Sequence, residues 1–296
     1  MVRRIKESFC RKVFHFINFI IMIFLVLICI IPMLNAIALS VSDKYYVAAG
    51  MVSLYPRGFN LTSYIYLFQR EPFWHAFMVS IIRVITGTSL NLVMILLTSY
   101  PLSKEHTKLR FRTAYVWFIF ITMLIGGGLI PNYLLITRLG LRNTLFALIL
   151  PGALPVFNVV LMINFFRQIP NELEEASLID GAGYLATLVR IYIPCSKAAI
   201  ATISLFCMVN HWNSWFDGLI YVSSSEWRPL QTYLRMVVLQ FDMSRVSIND
   251  LEILQLLSDR ALRSAQIIIA MIPILAVYPF LQKYFIKGIV LGSVKG

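Results

Sequence analysis

The chain has 296 residues, 59% of them hydrophobic and 14% charged, with a mean hydropathy of +0.76 and a net charge of +12. A soluble domain carries about a quarter charged residues, so composition excludes one and points to the bilayer. Surplus Lys and Arg is what membrane proteins gather in cytoplasmic loops, and nucleic-acid binding is set aside on that ground.

Residues 1–12 hold Arg3, Arg4, Lys6, Arg11 and Lys12 against Glu7. The apolar run Val13–Ala38 follows, and Ala36-Ile37-Ala38 resembles a cleavage site. The run is longer than the roughly 7–15 residues of a signal core, so a retained first span is expected. Residues 42–72 read as an outer loop with an amphipathic piece, Leu61–Phe68. Phe73–Leu102 is the second span. Arg83 lies inside it, and a charge there is costly unless it faces a cavity or snorkels. Thr86, Thr88, Ser89 and Asn91 add polarity that suits either hydrogen bonding between helices or a cavity lining. Loop 103–112, with Lys104, Lys108, Arg110 and Arg112 against Glu105, has cytoplasmic character.

Thr113–Ile130 is the third span. Gly126-Gly127-Gly128 and Pro131 must break it, and Tyr133–Leu139 is a short amphipathic piece closed by Gly140. The fourth span, Thr144–Phe166, contains Pro151 and Pro155; these predict a kink whose freed carbonyls neighbouring helices re-satisfy. The fifth, Lys197–Val222, carries Asn210-His211-Trp212-Asn213-Ser214-Trp215-Phe216-Asp217 in its outer half. Sugars present apolar C–H faces and a ring of hydroxyls, which aromatics beside amides and a carboxylate fit. An interfacial aromatic belt accounts for the same tryptophans. The candidate substrate path is Asn210, Asn213, Trp215, Phe216 and Asp217, with Arg83. Asp217 is the acid closest to a span interior, and no partner for it is evident in the sequence. Residues 223–260 form a long outer loop, and Ala261–Phe285 is the sixth span, with Lys283 and Lys287 at its end.

Basic residues concentrate before span one, in loop 103–112, at Arg167, Arg190 and Lys197, and at Lys283, Lys287 and Lys295. The short outer loops hold only Lys44, Arg57, Arg70, Arg138 and Arg142. The expectation is an all-α integral membrane protein, a single permease-like domain over 1–296. It has six transmembrane helices, both termini in the cytoplasm, and polar segment 167–196 inside.

That segment is the focus of the chain. Asn171 can cap a helix after Pro170, with Glu174 as capping-box partner. Gly181 stops the helix, and a second short helix runs from Tyr184 to Ile191, ended by Pro194. Small residues Ala176, Ser177, Gly181 and Ala182 cluster at the bend, where another surface can approach closely. The motif Glu175-Ala176-Ser177, Gly181 six residues after Glu175, then Ile191-Tyr192-Ile193-Pro194, resembles the EAA loop of importer permeases of the ATP-binding-cassette class. Ser177 and Ile193 are mild departures from its alanine and leucine. Leu97–Ser103, Gly126–Arg142 and Trp212–Leu219 extend the likeness over nearly the whole chain, toward the second permease of maltose-type sugar importers. The branch is the one with complex oligosaccharide or polysaccharide-fragment substrates.

The resemblance implies coupling to an ATPase through Glu174, Glu175, Ala176, Ser177, Asp180, Gly181 and Ala182, with Glu175 and Gly181 tied to docking. It implies a heterodimer with a homologous permease, two ATP-binding cassette subunits, an extracytoplasmic solute-binding protein, and surrounding membrane lipid. No phosphate loop, nucleophile elbow or metal spacing occurs, and Cys10, Cys29, Cys195 and Cys207 form no framework. ATP and Mg would therefore belong to the partner ATPase, with no catalytic, cofactor or metal residue here. Arg57, Arg138 and Arg142 would suit an acidic oligosaccharide such as a uronate. The competing reading is an ion-coupled secondary transporter of small polar solutes, which needs paired intramembrane carboxylates.

Overall fold

The computed structural model describes residues 9–69, 71–105, 109–239 and 258–292. Arg3, Arg4, Lys6, Arg70, Lys108, the acidic stretch 242–252 and Lys295 lie outside the described residues. Those described are mostly helical, with one isolated bridge between Ser42 and Phe59. In chain order the helices are α1 (Phe9–Ser40), α2 (Lys44–Ala48), α3 (Thr62–Phe68), α4 (Glu71–Ser103), α5 (Arg112–Leu124), α6 (Leu129–Arg138), α7 (Leu145–Ile149) and α8 (Val156–Phe166). Then come α9 (Asn171–Ile179), α10 (Tyr184–Thr187), a π-turn (Leu188–Tyr192), α11 (Ile193–Cys195), α12 (Lys197–Asn213), α13 (Phe216–Tyr221), α14 (Leu230–Leu239) and α15 (Asp259–Gly292). The chain forms two compact units, residues 1–70 with 241–271, and 71–240 with 272–296.

In the first unit α1 is apolar on every side, and its most apolar window has no buried residue. Such a helix belongs in lipid, where its own backbone bonds satisfy every amide. Asp43 caps α2 by accepting from the Tyr45 N–H at 2.9 Å. In α3 Tyr66 and Leu67 are buried while Ile65 and Phe68 face out, the amphipathic piece expected.

The second unit is built on α4. Its buried residues Phe73, Ala76, Ser80, Arg83, Gly87, Asn91, Ile95, Ser99 and Leu102 recur every three or four positions, one helical stripe. Against it pack α12, α8, α7, α14 and α5. Gly87 is where α12 comes closest: a Cβ there would meet His211 Nε2 at 2.5 Å.

Helices α1, α4 and α15 are long and apolar enough to cross a membrane, and two bent pairs raise the number to five. The third, fourth and fifth spans expected from the sequence are interrupted. The 13 residues of α5 reach about 20 Å, short of the roughly 30 Å hydrocarbon core, and α6 leaves at 108°. Gly128 takes φ +80 at the turn and Gly140 φ +68 after α6. The proline kink expected in the fourth span is a full break between α7 and α8. The fifth span ends at Asn213, and α13 begins at Phe216. The segment expected as an outer loop contains α14, whose Leu230 N–H donates to Ser80 Oγ at 2.7 Å and whose Tyr233 ring meets Phe73 edge-on.

Two of the three breaks are repaired from α4. Asn91 Nδ2 donates to the carbonyls of Gly152 at 2.7 Å and Ala153 at 2.9 Å, in the gap that Pro151 and Pro155 open. Arg83, 2% exposed, donates to the Leu148 carbonyl at 3.3 Å and the Ser214 carbonyl at 3.2 Å. Its guanidinium also pairs with Asp217 through both carboxylate oxygens. Asp217 Oδ1 further accepts from Ser214 Oγ and the Gly218 N–H. The partner that the sequence did not show for Asp217 is Arg83.

Removing one member of such a pair leaves a buried charge uncompensated, a cost of about 3–5 kcal/mol. Asp217→Asn is expected to lower the unfolding midpoint of the detergent-purified protein sharply. The double variant Arg83→Met with Asp217→Leu should recover only a small part of that loss in the same melts, because the Leu148 and Ser214 carbonyls then lack their donor.

Candidate functional site

The bend between α9 and α12 is assembled around Glu174. The helix begins with Pro170 at the N-cap and no side-chain cap, so Asn171 is its first residue rather than its cap. Glu174 is not the capping-box partner expected. It lies 1% exposed, paired with Lys104 Nζ at 2.7 Å and accepting from Tyr192 Oη at 3.0 Å. Lys104 sits 4.0 Å above the rings of both Tyr100 and Tyr192. Those two rings meet edge-on at 4.9 Å, and Phe166 closes the set against Tyr192 at 5.3 Å. A cation between two π faces and a carboxylate is held from every side. The end of α4 is thereby fastened to α9.

The turn itself is a Schellman motif. Ala182 N–H donates to the Ser177 carbonyl at 3.0 Å, and Gly181 N–H to the Leu178 carbonyl at 3.1 Å. Gly181 takes φ +81, and a Cβ added there would touch nothing within 4 Å. Any cost of a side chain at Gly181 is therefore conformational. Ser177 Oγ meets Thr187 Oγ1 at 2.9 Å, tying the two short helices across the bend. Pro194 does not end the second helix as expected. The wider π-turn Leu188–Tyr192 runs into α11, which contains Pro194, and the chain then turns by 87° into α12 at Ser196. An i→i+5 register relieves the clash a proline ring makes with the carbonyl four residues back.

The sequence-derived coupling residues thus separate into two sets. Glu174 and Ser177 are buried and hold the bend together; Glu175, Ala176, Asp180 and Gly181 are exposed, and Ala182 is half-buried. Beside them stands an apolar surface the sequence did not single out. Ile179 is 85% exposed, Leu185 68% and Tyr184 64%.

The candidate path residues also divide. Asn210, Asn213 and Phe216 are exposed along α12 and the start of α13. Trp215 is half-buried under the Arg235 guanidinium, 4.4 Å from its ring centroid. Arg83 and Asp217 are the ion pair described above. Asn158, buried, was missed, and His211, also buried, was named in the Asn210–Asp217 stretch but given no role. His211 Nε2 bonds Asn91 Oδ1 at 2.7 Å and Asn158 Nδ2 donates to Cys207 Sγ at 3.3 Å. Their signal was polarity inside apolar runs. Among the described residues no cluster of His, Cys, Asp and Glu could hold a metal.

Asn143, at φ +58, joins the loop before α7 to the end of α13. Its N–H donates to the Tyr221 carbonyl at 3.0 Å, and its Oδ1 accepts from Ser223 N–H at 2.7 Å.

Lys104→Met removes the cation beside the buried Glu174, at a cost of about 3–5 kcal/mol. Limited proteolysis of the purified protein should then cut within 171–182, and Lys104→Met with Glu174→Leu should restore part of the protection.

No protein-family model matches the sequence. The chain is 40% identical over 269 residues to protein LplC of Bacillus subtilis (strain 168), covering 91% of this chain and 90% of that one. It is 36% identical over 290 residues to the polygalacturonan/rhamnogalacturonan transport system permease protein YtcP of the same bacterium, covering 96% and 99%. It also superposes on a chain of a bacterial ABC transporter involved in the import of the acidic polysaccharide alginate. The TM-score there is 0.84 at 30% identity, over 94% of this chain and 99% of that chain. With its membrane-type helices and its bent EAA segment, the chain belongs to the permease family of sugar-importing ABC transporters.

Proposed function

We propose that the chain is one of two related permeases in a bacterial importer of acidic oligosaccharides, driven by ATP that a separate pair of cassette subunits hydrolyses. It crosses the cytoplasmic membrane six times with both termini inside, and segment 167–196 faces the motor. An external solute-binding protein delivers the sugar to the opposite face. The distribution of Lys and Arg supports this orientation, counting each interrupted helix as a crossing. The alginate transporter and the relative named for polygalacturonan and rhamnogalacturonan support an acidic substrate.

The observation that carries the reading is the pairing of a rigid, internally anchored bend with an exposed apolar surface, Ile179, Tyr184 and Leu185. A bare apolar patch marks a protein interface, and the Glu174–Lys104 anchor lets a pull on that interface reach α4. Glu175 and Asp180 rim the patch. Asn210, Asn213 and Phe216 line the sugar path, Trp215 flanks it, and Arg83 with Asp217 braces the wall behind. An ion-coupled carrier fits less well, because Asp217 is already neutralised by Arg83.

Gly181→Val forces a β-branched residue to positive φ, a strain of about 1–2 kcal/mol. Sugar-stimulated ATP hydrolysis by the reconstituted complex should fall about tenfold while the subunits still assemble. Ile179→Asp with Leu185→Asp should abolish co-purification of the ATPase. Normal stimulation in both variants would refute the assignment.

A further inference from the structure

Midway along the second unit, α4, α8 and α12 border an open-sided cavity of about 370 Å³, lined by Asn91, Asn158, Cys207 and Asn210 with Pro155, Phe157 and Phe206 at its apolar side. That volume falls within the roughly 300–1,000 Å³ typical of small-molecule sites. We propose that this cavity is a subsite that holds one pyranose ring of the passing oligosaccharide, and that it reads the ring rather than its charge. The proposal rests on the importer reading above and gives the path a specific holding point.

The chemistry of the walls carries the argument. Asn91 is committed to the fold, with Nδ2 on two backbone carbonyls and Oδ1 on His211. Asn158 is buried and turned to Cys207. Asn210 is different: it is exposed, and its side chain makes no hydrogen bond among the described residues. An amide facing hydrocarbon is costly and finds its place against a water-filled cavity. Phe206 lies one helical turn before Asn210 and Asn213 almost one turn after it, so the three share one face of α12. Phe206 is 42% exposed and Phe157, across the cavity on α8, 56%. Two aromatic surfaces flanking an available carboxamide match a pyranose, whose C–H faces stack on rings and whose hydroxyls bond amides. None of the lining residues carries a charge at neutral pH, so neutral and uronate rings are accepted alike, and any preference for acidic sugars is set elsewhere on the importer.

The test uses the whole importer in proteoliposomes, with neutral and acidic oligosaccharides of equal length. Asn210→Leu and Phe206→Ala should each raise the half-saturating sugar concentration about tenfold, by the same factor for both sugar types, with normal subunit assembly. Asn210→Gln should restore much of the affinity. Asn164→Leu, an exposed amide of α8 outside the cavity, should change nothing. Maleimide labelling of Asn210→Cys should be slowed by either sugar. Unchanged transport by Asn210→Leu, or labelling indifferent to sugar, would overturn the proposal and give the cavity to lipid or a partner helix. A loss for acidic sugars alone would overturn its charge-blind character. Should the wild-type complex show no sugar-dependent transport at all, the importer reading falls first, and this proposal with it.

Discussion

Inside hydrocarbon no water is at hand for a backbone carbonyl that has lost its helical donor, and each such group costs several kcal/mol. Three spans of this protein are broken, and their fold stands because one helix supplies donors to two of the gaps. Arg83 and Asn91 lie eight residues apart on one face of α4, with Gly87 between them to admit α12. One reaches the end of α7 and the α12–α13 gap; the other fills the gap between α7 and α8. The polar residues of this span are thus bracing first, and the neighbouring helices keep interruptions that an isolated helix would close.

The same helix ends at the bend between α9 and α12. Ser103 closes α4, and the next residue, Lys104, enters the aromatic socket with Glu174. Buried ion pairs are weak evidence for stability in themselves, since desolvation offsets much of their attraction. Their geometry is nonetheless specific, and here it fixes α9 to the rod that holds the rest. Force applied to Ile179 or Leu185 has a short, packed route to the cavity wall at Asn91.

Much of this was legible in the chain. The limits of α4 fall within two residues of the apolar run, the glycine triplet ends α5, and Gly181 has the left-handed φ that its place after α9 predicts. Local chemistry fixes such features, so local sequence reveals them. Glu174 misled because it stands three residues after Asn171, the capping-box spacing, while its true partner lies 70 positions away in Lys104. Asp217 and Arg83 are 134 apart. Opposite charges in two apolar runs already asked to be paired, and that rule would have joined them. Helix α14 was hidden in a segment read as loop because its apolar face fits α4 at Phe73 and Ser80, which only the folded chain brings near. The π-turn ahead of Pro194 leaves no mark that a proline stop signal would not also leave.

The three interruptions share a position. Helix α5 leaves the end of α4 intact and breaks at its far end; α8 approaches the bend unbroken after its gap; α12 leaves it and breaks only at Ser214. Unbroken helix therefore runs next to the bend, and the joints of the bundle lie remote from it. Under the importer reading proposed above, such an arrangement conveys a stroke through solid struts and yields at the distal rim, where a bulky, irregular cargo passes.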